Sequence, residues 1–238
     1  MMSPLFTLRS WRSLRFPDFL TRFPVPLQIV NIDPIFIFVY YNKDMKIFKL
    51  GEDVLRQKAL PVEHINDDIR ALAADMLTTM KENNGIGLAA PQVGMPLRLF
   101  VVDTGDGVQR VFINPQIIET SEKTSLYEEG CLSIPKVYEK IERPEKVKVQ
   151  AFDEKGAPFT LDADGLLARV IQHEYDHLDG ILFIDRGDPE FKQATIESFK
   201  RREERRREKA ARKEAQARKI AAKIAFKKQA AQEATSRC

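Results

Sequence analysis

The sequence predicts an α+β fold. Antiparallel or mixed strands pack around a central helix that carries a His-Glu-x-x-His motif, and a long charged helix ends the chain. Three observations predict it. Two segments, near 67–81 and 164–178, repeat apolar residues at steps of three and four. Three shorter runs, set between Gly, Asp and Pro breaks, are rich in β-branched and aromatic residues. From Phe191 onward the chain is mostly Ala, Arg, Lys, Glu and Gln, with neither Gly nor Pro.

The elements follow in order. Residues 1–44 hold five Pro, six Phe and no Glu, with no sustained period. Arg9, Arg12, Arg15 and Arg22 with few acids suit an organellar transit peptide. The favoured reading is an extension outside the fold, upstream of a true start at Met45. There the text turns regular, with Lys46-Ile47-Phe48-Lys49-Leu50 and a Gly51 turn. The first helix places Ile69, Leu72, Met76 and Met80 on one stripe, with Asn66 or Asp67 as its cap and Gly85 past its end. The run Gly85-Ile86-Gly87-Leu88-Ala89-Ala90-Pro91-Gln92-Val93-Gly94 has little side-chain bulk, so another backbone can lie close to it. Leu97–Val102, Val111–Ile113 and Val147–Phe152 read as strands. The second helix, Asp164–Leu178, is stopped by Gly180. Leu166, Val170, His173, Glu174 and His177 fall along one side of it, so it is buried at its start and chemical at its end. In the tail, Glu197 and Arg201, Glu203 and Arg207, Glu208 and Arg212, and Glu214 and Arg218 are i,i+4 pairs, each worth about 0.2–0.5 kcal/mol.

At 238 residues the chain suffices for one good-sized domain or two small ones. Its two cysteines, Cys131 and Cys238, make no disulfide framework and imply a reducing compartment. No apolar run reaches the roughly 18 residues a membrane span requires. Net charge is +3, distributed as +2 over residues 1–44, −9 over 45–191 and +10 over 192–238. The chain is an acidic body with a basic tail.

His173-Glu174-x-x-His177 puts two His on one helical face, where they grip one metal ion, while the intervening Glu serves as general base. The bland alternative is a charged helix with two His at this spacing by chance. Two His need a third protein ligand. An extended motif would place a His at 183, but Phe183 stands there. Glu197 lies about where another class places a Glu, although Arg201 already explains it as an ion-pair partner. Cys131, in Glu129-Gly130-Cys131-Leu132-Ser133-Ile134-Pro135, offers a thiolate, though an interior Cys is more often a small buried hydrophobe.

Taken together, Gly85–Gly94, Glu129–Pro135 and Gln172–His177 closely resemble the three signature motifs of peptide deformylases. The resemblance covers roughly Met45–Asp185 and implies a catalytic domain over 45–191, with a basic helical tail over 192–238. It implies a hydrolase that removes the formyl group from the N-terminal methionine of new polypeptides and releases formate. Cys131, His173 and His177 would bind one divalent metal, ferrous iron most often in the family, with zinc, nickel or cobalt accommodated. Glu174 would act as general base and then acid, and Gln92 and the Leu132 N–H would form the oxyanion hole. Ile86 and Gly87 would pair with substrate backbone, Glu129 and Gly130 would flank the entry, and Leu166 and Val170 would line the methionine pocket. For the last two plain core is the competing reading, and for Gln92 a solvated turn. The resemblance further implies a cytoplasmic enzyme, or an organellar one if residues 1–44 are a transit peptide, monomeric, without a membrane partner. The basic tail would dock on ribosomal RNA. Many family members carry Arg where this chain has Tyr138, which bears on substrate binding beyond the methionine. Two other readings compete: an endopeptidase of the two-His-plus-Glu class, and an RNA-binding protein with a degenerate site.

Overall fold

The structure, a computed structural model, describes residues 45–235, with side chains through Lys219. The expectations for residues 1–44 and for Cys238 lie outside the described residues.

Helix α1 spans Asp67–Glu82. The Asn66 side-chain oxygen accepts from the Ile69 N–H at 3.0 Å, satisfying one of the donors a helix start leaves unpaired. Ile69, Leu72, Met76 and Met80 are buried, as the stripe predicts. Seven strands follow: β1 (Gly87–Ala89), β2 (Leu99–Val102), β3 (Arg110–Thr120), β4 (Thr124–Cys131), β5 (Ile134–Pro144), β6 (Lys146–Phe152) and β7 (Pro158–Asp164). A five-stranded sheet has the order β1-β2-β3-β6-β7, antiparallel throughout, and β4 and β5 pair as a separate hairpin. Helix α2 (Gly165–Leu178) and helix α3 (Pro189–Thr235) complete the chain.

Strand β2 explains the layering. Its four residues, Leu99-Phe100-Val101-Val102, are all buried, and successive side chains point to opposite faces. Leu99 and Val101 join Met76, Met80 and Leu88 beneath α1. Phe100 and Val102 join Phe112, Val149, Val170 and Ile171 beneath α2. The sheet is therefore covered on both faces at β2, and that strand reads as a continuous apolar run rather than an alternating one. Phe100 and Phe112 stack at 4.6 Å across β2 and β3, a preferred aromatic pairing.

A third cluster gathers Leu55, Ile134, Ile141, Leu182, Phe183 and Ile184, with Phe191, Ile196 and Phe199 of α3 packed against it. The first turns of α3 thus belong to the body, and Thr195 is buried. A solvated tail is expected from residue 192; the packing extends to Phe199, because those three apolar residues share one side of the helix. Of the four expected ion pairs, Arg218 meets Glu214 at 2.7 Å. Glu203 instead pairs with Arg206 at 3.3 Å, and Glu197 accepts from Gln193 at 3.0 Å. Exposed partners three and four residues away compete on nearly equal terms. Among the described residues no helix is long and apolar enough to cross a membrane.

Candidate metal centre and active site

Helix α2 sets its apolar face on the sheet and carries His173, Glu174 and His177 at its C-terminal half, all three buried or nearly so. Strand β4 delivers Cys131 at its end. Among the described residues, the ligand atoms of Cys131, His173 and His177 all lie within 4.8 Å of one another. Cys131 Sγ lies 3.3 Å from His177 Nε2. His173 Nδ1 meets Glu129 Oε2 at 2.8 Å, which leaves Nε2 as its ligand nitrogen. A carboxylate behind a metal-binding imidazole fixes ring orientation in this way.

Donor chemistry and electrostatics both fit a metal. One thiolate and two imidazoles form a soft-plus-borderline set suited to zinc or ferrous iron. Burial pushes the His177 pKa well below its ordinary value, which keeps the ring in the neutral, ligating form. At His173 burial also pulls downward, but hydrogen bonds with Cys131 and Glu129 outweigh it and the pKa is raised. The same anionic field favours a cation among the three ligand atoms. Glu197, the competing third ligand, is exposed on α3 and engaged by Gln193. Phe183 packs its ring 6.0 Å from that of His173 rather than offering a donor.

Glu174 is 4% exposed, and burial raises its carboxyl to about 7. Its Oε2 has no hydrogen-bond partner among the described residues. A carboxyl poised near neutrality with an open lone pair suits proton transfer. Gly87 of β1 explains how it is accommodated. A Cβ at that position would lie 2.3 Å from Glu174 Oε1 and 2.8 Å from Val170 Cγ1, so only glycine admits this close approach. Strand β1 is an edge of the sheet, with Ile86, 42% exposed, immediately before it.

Gln92 lies in a 3-10 turn over Ala90–Val93 and is 1% exposed, which overturns the solvated-turn alternative. Its Oε1 accepts the Ala89 N–H at 2.7 Å. Because that N–H can only donate, the amide orientation is fixed. Nε2 then faces Cys131 Sγ at 3.3 Å and Ser133 Oγ at 3.2 Å. Leu132 follows Cys131 in the β4–β5 turn, with its side chain against Gly85, where a Cβ would stand 2.7 Å from Leu132 Cδ1.

Other expected residues divide. Val170 is core, and its Cγ1 lies against Gly87. Leu166 is 40% exposed at the start of α2 and is not core. Gly130 is exposed opposite Tyr138, whose ring a Cβ on Gly130 would meet at 2.8 Å. Glu129 does not flank the entry. It is buried, and Arg143 contacts both its oxygens, at 2.6 and 3.0 Å, while Arg169 contacts Oε1 at 3.0 Å. Burial would raise its carboxyl, but hydrogen bonds from His173 and Arg143 hold it down at about 2. Arg143 also reaches Asp176 Oδ2 at 2.7 Å. The sequence motifs do not reveal the Arg143–Arg169–Asp176 support. Its one sequence signal is that Glu129 and Cys131 share a strand face two residues apart.

A sequence profile described as polypeptide deformylase matches residues 44–193. A curated peptide deformylase of Treponema pallidum is 51% identical over 155 residues, covering 65% of this chain and 95% of the relative. The crystal structure of a peptide deformylase from Legionella pneumophila superposes with a TM-score of 0.62 at 41% identity, covering 67% of this chain and 97% of that one. One from Synechococcus elongatus, in complex with actinonin, gives 0.62 at 46% identity, covering 66% and 87%. Motifs, sheet order, site geometry and these matches agree: the chain belongs to the peptide deformylase family.

Proposed function

We propose that the protein performs its family's reaction, hydrolysis of the formyl group from the N-terminal methionine of newly made polypeptides, at the Cys131–His173–His177 site. The observation that carries this reading is the convergence of three metal-type ligand atoms within 4.8 Å beside a buried, partner-poor Glu174. A divalent ion held by Cys131 Sγ, His173 Nε2 and His177 Nε2 would supply Lewis-acid polarisation and a water of lowered pKa. We read the physiological ion as Fe2+, with Zn2+, Ni2+ or Co2+ also suiting the donor set.

The protein's own groups then have distinct tasks. Glu174 removes the proton of the attacking water and returns it to the departing α-amine. Gln92 Nε2 and the Leu132 N–H donate to the oxygen on which negative charge develops, an arrangement that acts most strongly in a water-poor site. Glu129 holds His173 in its ligating orientation. The free edge of β1 at Ile86 and Gly87 offers backbone groups to an extended peptide by strand addition. Gly130, with the Tyr138 ring seated against it, is assigned to the substrate's other side, and Leu166 with Val170 to the methionine pocket.

The deciding experiment is anaerobic purification, metal analysis and a formate-release assay on a formyl-Met tripeptide. About one metal per chain with formate release that chelation abolishes is the expected result. Undiminished turnover after complete metal removal would overturn the reading. Gly87→Ala is expected to lower kcat by about 10²-fold, because a misplacement near 1 Å of a reacting group has that cost. Wild-type kcat in this variant would show that Glu174 does not need its present position.

We further assign residues 45–200 as the catalytic body in a reducing, cytoplasmic setting, and the remaining basic helix as a contact for ribosomal RNA. Segregation of positive charge into an exposed helix supports the assignment. The cut belongs after Lys200 rather than after Phe191, because Ile196 and Phe199 pack on the body. A chain of residues 45–200 is expected to deformylate short peptides like the full length, yet to bind ribosomes far more weakly at low salt. Binding by the full chain should fall steeply with added salt. Equal ribosome affinity of the two chains would remove the docking role.

A further inference from the structure

Three consecutive residues near the start of the body reach the backbones that carry both proposed oxyanion donors. The Phe48 N–H donates to the Gln92 carbonyl at 2.7 Å, and the Leu50 N–H donates to the Ser133 carbonyl at 3.0 Å. Between them, Lys49 Nζ donates to the Leu132 carbonyl at 2.7 Å. No other segment among the described residues has hydrogen bonds of this kind to both the Gln92 and the Leu132–Ser133 backbones.

The turn that presents Leu132 is irregular. Cys131 pairs with Ile134, so Leu132 and Ser133 form a two-residue connection. Two-residue hairpin turns that match strand twist require a positive φ at the first central residue or at both. Neither Leu132 nor Ser133 has one. The pairing instead shifts register between Gly130 and Cys131, with Lys136 at φ 64 just past the turn, and the two turn carbonyls are tied down from outside by Lys49 and Leu50. The same peptide unit bears on the metal ligand, since the Ser133 N–H donates to Cys131 Sγ at 3.4 Å. An ammonium on the Leu132 carbonyl polarises that peptide and strengthens its N–H as a donor to the sulfur.

The segment is itself well fixed. Gly94 has φ +85, and a Cβ there would stand 2.6 Å from the Phe48 ring, so the ring is seated on bare backbone. Lys46 Nζ lies 4.5 Å from the centroid of that ring. Glu52 accepts from the Lys49 N–H at 2.5 Å and from Lys46 Nζ at 2.7 Å.

We propose that Phe48-Lys49-Leu50 is a clamp that sets the spacing of the two oxyanion donors, with Lys49 as its positioning residue. Lys49 acts through the Leu132–Ser133 peptide and does not touch substrate. The proposal rests on the reading of Gln92 and Leu132 as oxyanion donors, and the test separates the two ideas.

The full chain is loaded with metal anaerobically, and steady-state formate release is measured for wild type, Lys49→Met, Lys49→Arg and Gln92→Ala. Loss of one whole oxyanion donor costs about 10²–10³ in kcat, so loosening one donor should cost roughly tenfold. Lys49→Met is expected to show that fall in kcat with KM within about twofold, and with bound metal and Tm unchanged; Lys49→Arg, which keeps a cationic donor, should recover most of it. Wild-type kcat in Lys49→Met while Gln92→Ala is impaired would overturn the clamp alone. A loss in Lys49→Met that tracks lost metal or lowered Tm, and that Lys49→Arg does not rescue, would also overturn it. Unimpaired Gln92→Ala would overturn the oxyanion reading, and the clamp with it.

Discussion

Glu174→Ala is expected to keep its metal and lose nearly all turnover, with kcat lower by about 10³–10⁴-fold, at the upper end of what a positioned acid–base group contributes. The geometry separates the two properties. His173 is oriented by Glu129 at 2.8 Å, and His177 and Cys131 face each other at 3.3 Å; Glu174 takes part in neither contact. Its own carboxylate sits against Gly87 with one oxygen unpartnered among the described residues. Removing it should therefore delete the proposed proton carrier and leave the proposed ligand set standing. Stability should not fall, since a buried carboxyl raised to about 7 has lost hydration without a full set of partners. Metal analysis, formate release and a thermal melt on one preparation check all three statements. Metal loss in Glu174→Ala, or turnover above about a tenth of wild type, would remove Glu174 from its role.

Motif and helix were legible together because spacing alone encodes both. A helix brings residues four apart onto one face, so His173 and His177 announce themselves before any tertiary contact is known. The same periodicity gave α1 and α2 nearly to the residue, while the strands were read less well. Leu97–Val102 and Val147–Phe152 lie close to the observed β2 and β6, the first a buried apolar run and the second an alternation that buries Val147, Val149 and Ala151. Strand β3 runs on to Thr120 past Asn114, which has φ 51, and its register with β6 shifts twice, so no clean alternation marks it. Strands β4 and β5 went unread for a different reason. They pair with each other outside the main sheet, largely exposed, and carry the charged Glu129 and Arg143 at buried positions where a half-buried strand would show apolar residues.

The part of the site on those strands was correspondingly opaque. Cys131, Gln92 and Leu132 came from a resemblance among motifs, since nothing in their local patterns distinguishes a ligand from a buried thiol or an oxyanion donor from a turn amide. The burial of Glu129 is invisible in its own motif because it depends on Arg143, 14 residues away, and Arg169, 40 residues away. Lys49 offered still less. Its partner is a backbone carbonyl 83 residues on, and a carbonyl has no sequence signature.

Cys131→Ala should lose metal and activity together while the fold persists. The thiolate is the one soft anionic ligand of the set, and removing it leaves two neutral imidazoles, which do not make a stable site. The loss is compounded locally, because Gln92 Nε2 at 3.3 Å and the Ser133 N–H at 3.4 Å both donate to the sulfur. Donors left facing a methyl group in a largely buried site either go unsatisfied or turn away, and Gln92 would then leave the oxyanion position as well. The expected values are metal below about a tenth of an equivalent after dialysis and formate release at background. Tm should change by only about a few degrees, because Cys131 ends a peripheral strand and the α1–sheet–α2 core does not depend on it. His173→Ala serves as the matched control: it should lose metal and also disturb Glu129, whose Oε2 it faces, so its Tm should fall further. The competing two-His-plus-Glu arrangement predicts the reverse for Cys131→Ala, with metal retained through Glu197. Full metal occupancy in Cys131→Ala would therefore sink the ligand set, and with it the assignment of Gln92 and Leu132 around that sulfur.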